Sequence, residues 1–324
     1  MIELVAADIG GTNARFALAS VGKGGKIALG EPITLGTSDF VSLHNAWDEF
    51  GRRLGRPLPN AAAVAIAAPV TGAVLRMTNN SWTIDTGKLD EQLGIERVTV
   101  LNDFAAVAHA AASAPDDQFE HICGPDVALT ANGTISVLGP GTGLGVAHFH
   151  RYPGGYHVQA TEGGHIDFAP VDAIDDAILA RLRARHRRVS VERVVSGPGI
   201  FDIYYVLAQL EHRSVNVLDA MTIWQRGASG EDDLASAAID RFCMSLGSAA
   251  GDYALAHGAT GVVIAGGVGQ RLRDRLPASG FAERFAWKGR YEQLMASLPV
   301  KLITLAQPGL FGAVAAFAKE HSQS

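Results

Sequence analysis

Near the start of the chain, Asp8-Ile9-Gly10-Gly11-Thr12-Asn13-Ala14-Arg15 separates two apolar runs, Ile2 to Ala7 and Phe16 to Ala19. Two glycines let a backbone come close to a ligand, Thr12 and Asn13 add side-chain donors, and Asp8 offers a carboxylate where a metal ion could sit. The pattern fits a hairpin that grips phosphate. It is not the common P-loop, which needs a lysine and an outgoing helix, nor a dinucleotide fingerprint, which needs a third spaced glycine and a helix. Gly-Gly is also an ordinary hairpin turn, favoured for conformational reasons alone. A second turn, Gly139-Pro140-Gly141-Thr142-Gly143-Leu144-Gly145, again sets glycines and a threonine between apolar runs. A third segment, Val262 to Gly269, ends a hydrophobic strand in Gly266-Gly267, which would leave a flat surface suited to a planar group such as adenine.

A nucleotide held at such turns needs a base to take the proton of an attacking hydroxyl. Asp103 follows the apolar run Val98 to Leu101 and precedes an alanine-rich stretch, where a strand end can aim a carboxylate. Capping a helix that begins at Phe104 is the other role open to it. In Thr161-Glu162-Gly163-Gly164-His165, two glycines keep Glu162 and His165 close on a bent backbone. That gives one strong acceptor and one donor-acceptor pair for neighbouring hydroxyls. Taken singly, Glu is usually a surface group and His is often one.

The elements that must position these groups follow from periodicity and punctuation. A helix is predicted over Leu43 to Leu54, strands over Ala62 to Ala67 and Val98 to Leu101, and a helix over Phe104 to Ala114 that Pro115-Asp116-Asp117 breaks. The second glycine hairpin opens another α/β unit, with helices over Ala173 to His186, Gly199 to Leu210 and Leu234 to Gly258. Strands over Gly261 to Ala265 and Val300 to Leu305 and a last helix over Leu310 to Glu320 complete it. Two similarly organised halves predict two α/β domains around a cleft, residues 1–113 with 306–324 forming the smaller and 114–305 the larger. Ligands in such sheets lie outside the strand ends.

With 324 residues and 48% hydrophobic content, the chain is long enough for one large or two medium domains. Lys and Arg number 27 against 33 Asp and Glu, so no basic stripe for nucleic acid is expected, and Arg181 to Arg188 reads as a helix with a solvated face. Cys123 and Cys243 stand far apart without metal-ligand spacing, which suits buried thiols in a reducing cytoplasm. No signal-peptide pattern is seen, and no apolar run reaches the roughly 18 residues of a spanning helix, so no membrane partner is expected.

Strand, Gly-Thr hairpin and strand near the start of each half, then a Gly-Gly strand end, is similar to the superfamily of sugar kinases, actin and heat-shock ATPases. Within it the chain resembles the ATP-dependent glucokinases of proteobacterial type. The resemblance rests on the first hairpin, Thr78-Asn79-Asn80-Ser81-Trp82, Asn102-Asp103, the Glu162 to His165 turn, and Val191-Glu192-Arg193-Val194-Val195-Ser196-Gly197-Pro198-Gly199, in that order. It runs from Asp8 to about Gly312 and implies a two-domain actin-like ATPase (ribonuclease H-like) fold with an interdomain cleft. It also implies transfer of the γ-phosphoryl of ATP to the 6-hydroxyl of glucose, giving glucose 6-phosphate and ADP for glycolysis, in a cytoplasmic homodimer. By the same resemblance Asp103 is the general base, and Asn102, Asp103, Glu162, His165 and Glu192 hold the sugar. Asp8, Ile9, Gly10, Gly11, Thr12 and Asn13 match the first phosphate loop, Gly141, Thr142 and Gly143 the second, and Gly266 and Gly267 the adenosine-side turn. Asp8 would meet Mg²⁺ through water, since Mg²⁺ keeps several of its waters. Pro140 varies the second loop but leaves its Gly-Thr-Gly core intact.

The main rival is the related family of repressors, sugar kinases and open-reading-frame kinases, many of which carry a cysteine-rich zinc motif after the corresponding His. Here no cysteine follows His165 until Cys243, so no zinc is expected. A sugar-sensing regulator would need a DNA-binding segment before Asp8, and chaperone-type or cytoskeletal ATPases lack the Glu-Gly-Gly-His turn. Polyphosphate as donor stays open. Because one sugar would be read from both domains, glucose is expected to close the cleft, with hinges near Ser113 to Asp117 and Ala306 to Gly309.

Overall fold

The structure is a computed structural model that describes every residue except 69–71, 78–81 and 322–324. Thr78 to Ser81 of the Thr78-Asn79-Asn80-Ser81-Trp82 segment therefore lie outside the described residues. The chain divides into two compact units, Met1–Ala114 with the chain from Leu305 onward, and Pro115–Thr304.

The first unit begins with β1 (Ile2–Ile9) and β2 (Asn13–Val21), an antiparallel hairpin, followed by β3 (Ile27–Leu29) and β4 (Ile33–Gly36), both on β2. Helix α1 (Leu43–Leu54) has the predicted bounds because its ends are chemically marked. Ser42 accepts the Asn45 N–H at the start, and Gly55 takes the left-handed conformation at φ +69° that stops it. Next come β5 (Ala61–Ile66), the small pair β6 (Val74–Arg76) and β7 (Thr83–Asp85), α2 (Leu89–Leu93), β8 (Arg97–Asn102) and α3 (Asp103–Ser113). The sheet runs β3-β2-β1-β5-β8, with β1, β5 and β8 parallel. Every residue of β5 is buried, as expected of a parallel strand covered on both faces.

The second unit repeats the design. β9 (Phe119–Cys123) precedes the hairpin β10 (Gly133–Pro140) and β11 (Leu144–Tyr152), and β12 (Gly155–Thr161) adds to β11. Helices α4 (Ala173–Arg183), α5 (Val191–Val194), α6 (Ile200–Leu210), α7 (Ala220–Ser229) and α8 (Asp233–His257) follow. Then come β13 (Ala259–Ile264), α9 (Gly266–Arg271), α10 (Phe281–Ala286), α11 (Glu292–Ala296) and β14 (Val300–Ile303). The order is β12-β11-β10-β13-β14-β9, again an antiparallel hairpin continued by the parallel strands β13 and β14, with β9 antiparallel at the far edge. Helix α4 stops at Arg183, short of the predicted His186. Its basic residues are not all simply solvated, since Arg181 and Arg185 both pair with the mostly buried Asp202.

The chain then returns to the first unit as α12 (Pro308–His321), which packs on α3. Alanines on both helices allow the close approach, and Gly312 leaves no room at all: a Cβ there would run into the Ala106 carbonyl. Among the described residues no helix is long and apolar enough to cross a membrane.

In the second unit, His148 and His257 lie with ring centroids 4.4 Å apart, and His257 Nδ1 is 2.8 Å from Ser136 Oγ. Burial, and then His148, pushes the His257 imidazole down from 6.5 to about 4, and burial followed by His157 lowers His148. An unfolded chain takes up these protons near 6.5 while the folded one holds off, so stability is full above 6.5 and is lost as pH falls toward about 4. Urea denaturation at pH 7 and pH 5 should show a lower midpoint at pH 5. Replacing His257 by Gln should shrink that difference, and an unchanged difference would remove His257 as its source.

Candidate active site

In the first unit, the parallel register aligns the carboxyl ends of three strands, with Ile9 opposite Ile66 and Ile66 opposite Asn102. The Gly10 to Asn13 turn and Asn102-Asp103 therefore share one edge of the sheet, where strand ends leave room for ligands. The turn is closed by Gly10 N–H donating to the Asn13 carbonyl at 2.9 Å, and Thr12 and Asn13 are exposed at its tip. Neither Gly10 nor Gly11 adopts a left-handed φ, so a primed turn does not account for the glycines. Thr37 steadies the tip, donating Oγ1 to the Gly11 carbonyl at 2.8 Å and its N–H to the Thr12 carbonyl at 3.0 Å.

Asp8 sits opposite Arg15 across the hairpin, and Arg15 Nη1 lies 3.3 Å from its Oδ2. Burial raises the Asp8 carboxyl above the usual carboxylate range, with Arg15 pulling the other way. A Cβ on Gly309, in the first turn of α12, would fall 3.0 Å from Asp8 Oδ2, so that glycine makes space for the carboxylate.

The helix-capping role considered for Asp103 belongs to its neighbour. Asn102 Oδ1 accepts the N–H groups of Phe104 at 2.9 Å and Ala105 at 3.0 Å, and its Nδ2 donates to the Ala68 carbonyl at 3.3 Å. Asp103 is the first helical residue, half-buried, with Oδ1 accepting the Phe104 N–H at 2.8 Å. The cap holds the backbone under Asp103, and the helix N-terminus favours negative charge there.

In the second unit the β10–β11 turn is closed by Gly141 N–H to the Gly143 carbonyl at 2.8 Å, with Thr142 exposed at its tip. Gly197 N–H donates to the Gly141 carbonyl at 2.7 Å, docking the Ser196 to Gly199 segment against the turn. Gly266 and Gly267 depart from expectation. They do not prolong a strand end but open α9, with Gly266 at φ +79°. A Cβ on Gly266 would lie 2.7 Å from the Pro140 carbonyl oxygen, so glycine is required where this helix start meets the hairpin, and Gly267 faces open space. A cavity of about 510 Å³ opens beside Thr142, lined among others by Arg193, Ser196, Pro198, Phe201 and Asp219.

Glu162, His165 and Glu192 come together although Glu192 is distant in sequence. His165 Nε2 is 3.9 Å from Glu162 Oε2, and His165 Nδ1 is 3.9 Å from Glu192 Oε1. At those distances the groups face one another without being hydrogen-bonded, which suits a shared polyhydroxylated ligand. The turn carrying them is anchored from below. Tyr253 on α8 donates its hydroxyl to the Gly163 carbonyl at 2.7 Å, and Thr161 Oγ1 accepts the Gly163 N–H while donating to the Val146 carbonyl. A Cβ on Gly164 would collide with the Leu144 carbonyl, so the turn can lie against β11 only with glycine there.

A sequence model of the family described as glucokinase matches residues 5–320. The chain belongs to the glucokinase family. It is 56% identical over 322 residues to the glucokinase of Zymomonas mobilis subsp. mobilis, covering 99% of each chain. The glucokinase of Caulobacter vibrioides strain NA1000 / CB15N is 41% identical over 317 residues, 97% of this chain and 94% of its own. Among solved structures, a glucokinase from an Antarctic psychrotroph superposes with a TM-score of 0.86 at 36% identity, covering 98% of this chain and 99% of that one. The fold is the two-unit actin-like ATPase fold, and the chain is an enzyme of sugar phosphorylation.

Four residues that position the candidate site groups carry little signal in sequence: Arg15, Thr37, Thr161 and Tyr253. Arg15 becomes a partner of Asp8 through the hairpin register, which is set only in the folded sheet. Thr37 and Tyr253 act across 26 and 90 residues, and nothing local marks them. Among the described residues, no group of three or more His, Cys, Asp or Glu is placed to hold a metal ion.

Proposed function

We propose that this enzyme transfers the γ-phosphoryl group of ATP to the 6-hydroxyl of glucose, giving glucose 6-phosphate and ADP for glycolysis. The observation that carries the reading is the Glu162, His165 and Glu192 cluster, whose unbonded polar atoms match a ligand rich in hydroxyls. Asn102 completes the set of sugar residues, and Asp103 accepts the proton of the 6-hydroxyl as its oxygen attacks phosphorus. Phosphoryl transfer passes through a loose transition state, so alignment and charge neutralisation supply most of the rate, and the base adds about 10²- to 10⁴-fold.

The donor phosphates lie at the two hairpins, read by Asp8, Ile9, Gly10, Gly11, Thr12 and Asn13 in one and by Gly141, Thr142 and Gly143 in the other. The cavity beside Thr142 has the volume of a small-ligand pocket, which supports a nucleoside near the second hairpin, and by the family reading Gly266 and Gly267 form the adenosine-side turn. Asp8 fits Mg²⁺, which is commonly held by one or two carboxylates plus substrate phosphates, and contact through water suits a carboxylate already facing Arg15. Bound there, Mg²⁺ would neutralise charge on the phosphate oxygens. The same family reading makes the protein a cytoplasmic homodimer.

A coupled assay with ATP and Mg²⁺ should give turnover with glucose and much lower kcat/KM with fructose and N-acetylglucosamine. A site that hydrogen-bonds each hydroxyl penalises analogues that leave its polar groups unpaired. Equal kcat/KM for glucose and N-acetylglucosamine would contradict the assignment of the cluster. EDTA should stop the reaction and Mg²⁺ alone restore it, and one tightly held zinc per chain would contradict the reading of His165 as a hydroxyl reader, since the rival family uses the corresponding His as a zinc ligand.

A further inference from the structure

We infer that the β10–β11 hairpin belongs to the sugar site as well as to the donor site, because it sets the position of the Glu192 carboxylate. This rests on the reading of Glu192 and His165 as hydroxyl readers. Glu192 stands on α5, a helix of only four residues, and its side chain is held by the hairpin. Oε2 accepts the Leu144 N–H at 2.9 Å, and Oε1 is the atom that faces His165. Leu144 sits opposite Pro140 at the hairpin mouth, and its N–H is spent on the carboxylate.

Gly143 shapes the same contact. A Cβ there would fall inside contact distance of Glu192 Oε2 and 3.1 Å from its Cδ, so any larger residue must displace the carboxylate. Two residues earlier, a Cβ on Gly141 would meet nothing within 4 Å. A substitution in a loop assigned to phosphate therefore perturbs sugar binding at one glycine and spares it at the other. By thermodynamic linkage, whatever moves the hairpin on binding changes sugar affinity, and sugar changes its affinity by the same factor.

The test is calorimetric titration of glucose into intact enzyme with neither nucleotide nor metal present. Gly143→Ala should weaken glucose binding by at least about tenfold, the scale of a lost charge-assisted hydrogen bond. Gly141→Ala should leave the dissociation constant within about twofold of the parent, since its Cβ occupies open space. Equal affinity in Gly143→Ala and the parent, or equal losses in both variants, would overturn the inference. An unaltered protein that binds no glucose would instead overturn the underlying sugar-site reading. Should Gly143→Ala fail to fold, hydrogen exchange on the unaltered protein decides. Glucose alone should slow amide exchange in the peptide containing Leu144, and no change there would overturn the inference.

Discussion

Asp103→Asn is expected to lower kcat by at least about 10²-fold while glucose still binds. The substitution keeps size and a hydrogen-bonding oxygen but removes the basic carboxylate. It also leaves the helix cap in place, because Asn102 accepts the N–H groups of Phe104 and Ala105, and an amide oxygen at position 103 can still accept the Phe104 N–H that Asp103 Oδ1 shares. The effect should therefore appear in turnover, with kcat and kcat/KM falling together, as for a group that acts only in the transition state. A coupled assay alongside glucose titration checks both halves. Near-normal turnover would reject Asp103 as the base, and loss of glucose binding with loss of turnover would make it a sugar ligand first.

Gly312→Ala should be the most damaging single methyl in the first unit. Gly312 of α12 lies against α3 so closely that an added Cβ would overlap the Ala106 carbonyl and come 2.9 Å from the Ala110 nitrogen. Both obstacles are backbone, so no side-chain rotation relieves them and the helices must part. Overpacking of this kind costs about 1–3 kcal/mol, and the upper end or beyond is expected where neither neighbour can yield. Urea denaturation should show a loss of about 3 kcal/mol. Because α3 begins at Asp103, the surviving folded enzyme should also turn over more slowly. Unchanged stability and turnover would reject tight α3–α12 backbone packing as a support of the first unit.

The two glycine hairpins, the strands behind them and most of the long helices were legible in the sequence. These signals are local: apolar runs bounded by glycine, and helical stretches such as Leu43 to Leu54 closed by Ser42 and Gly55. It also supplied the order of motifs that marks the glucokinase family. Polar and short elements were illegible, among them β12, which leads into the Glu162 turn but alternates between half-exposed and exposed residues and lacks a buried face. Gly266-Gly267 looked like a strand end because hydrophobicity stops there, whereas the backbone turns into α9 to clear the Pro140 carbonyl. Which neighbour caps α3, which side chain faces Asp8, and that Glu192 is tied to the second hairpin emerge only in the folded chain. Each depends on groups brought together across a turn, a sheet register or tens of residues of chain, and periodicity along a sequence carries no record of such distances.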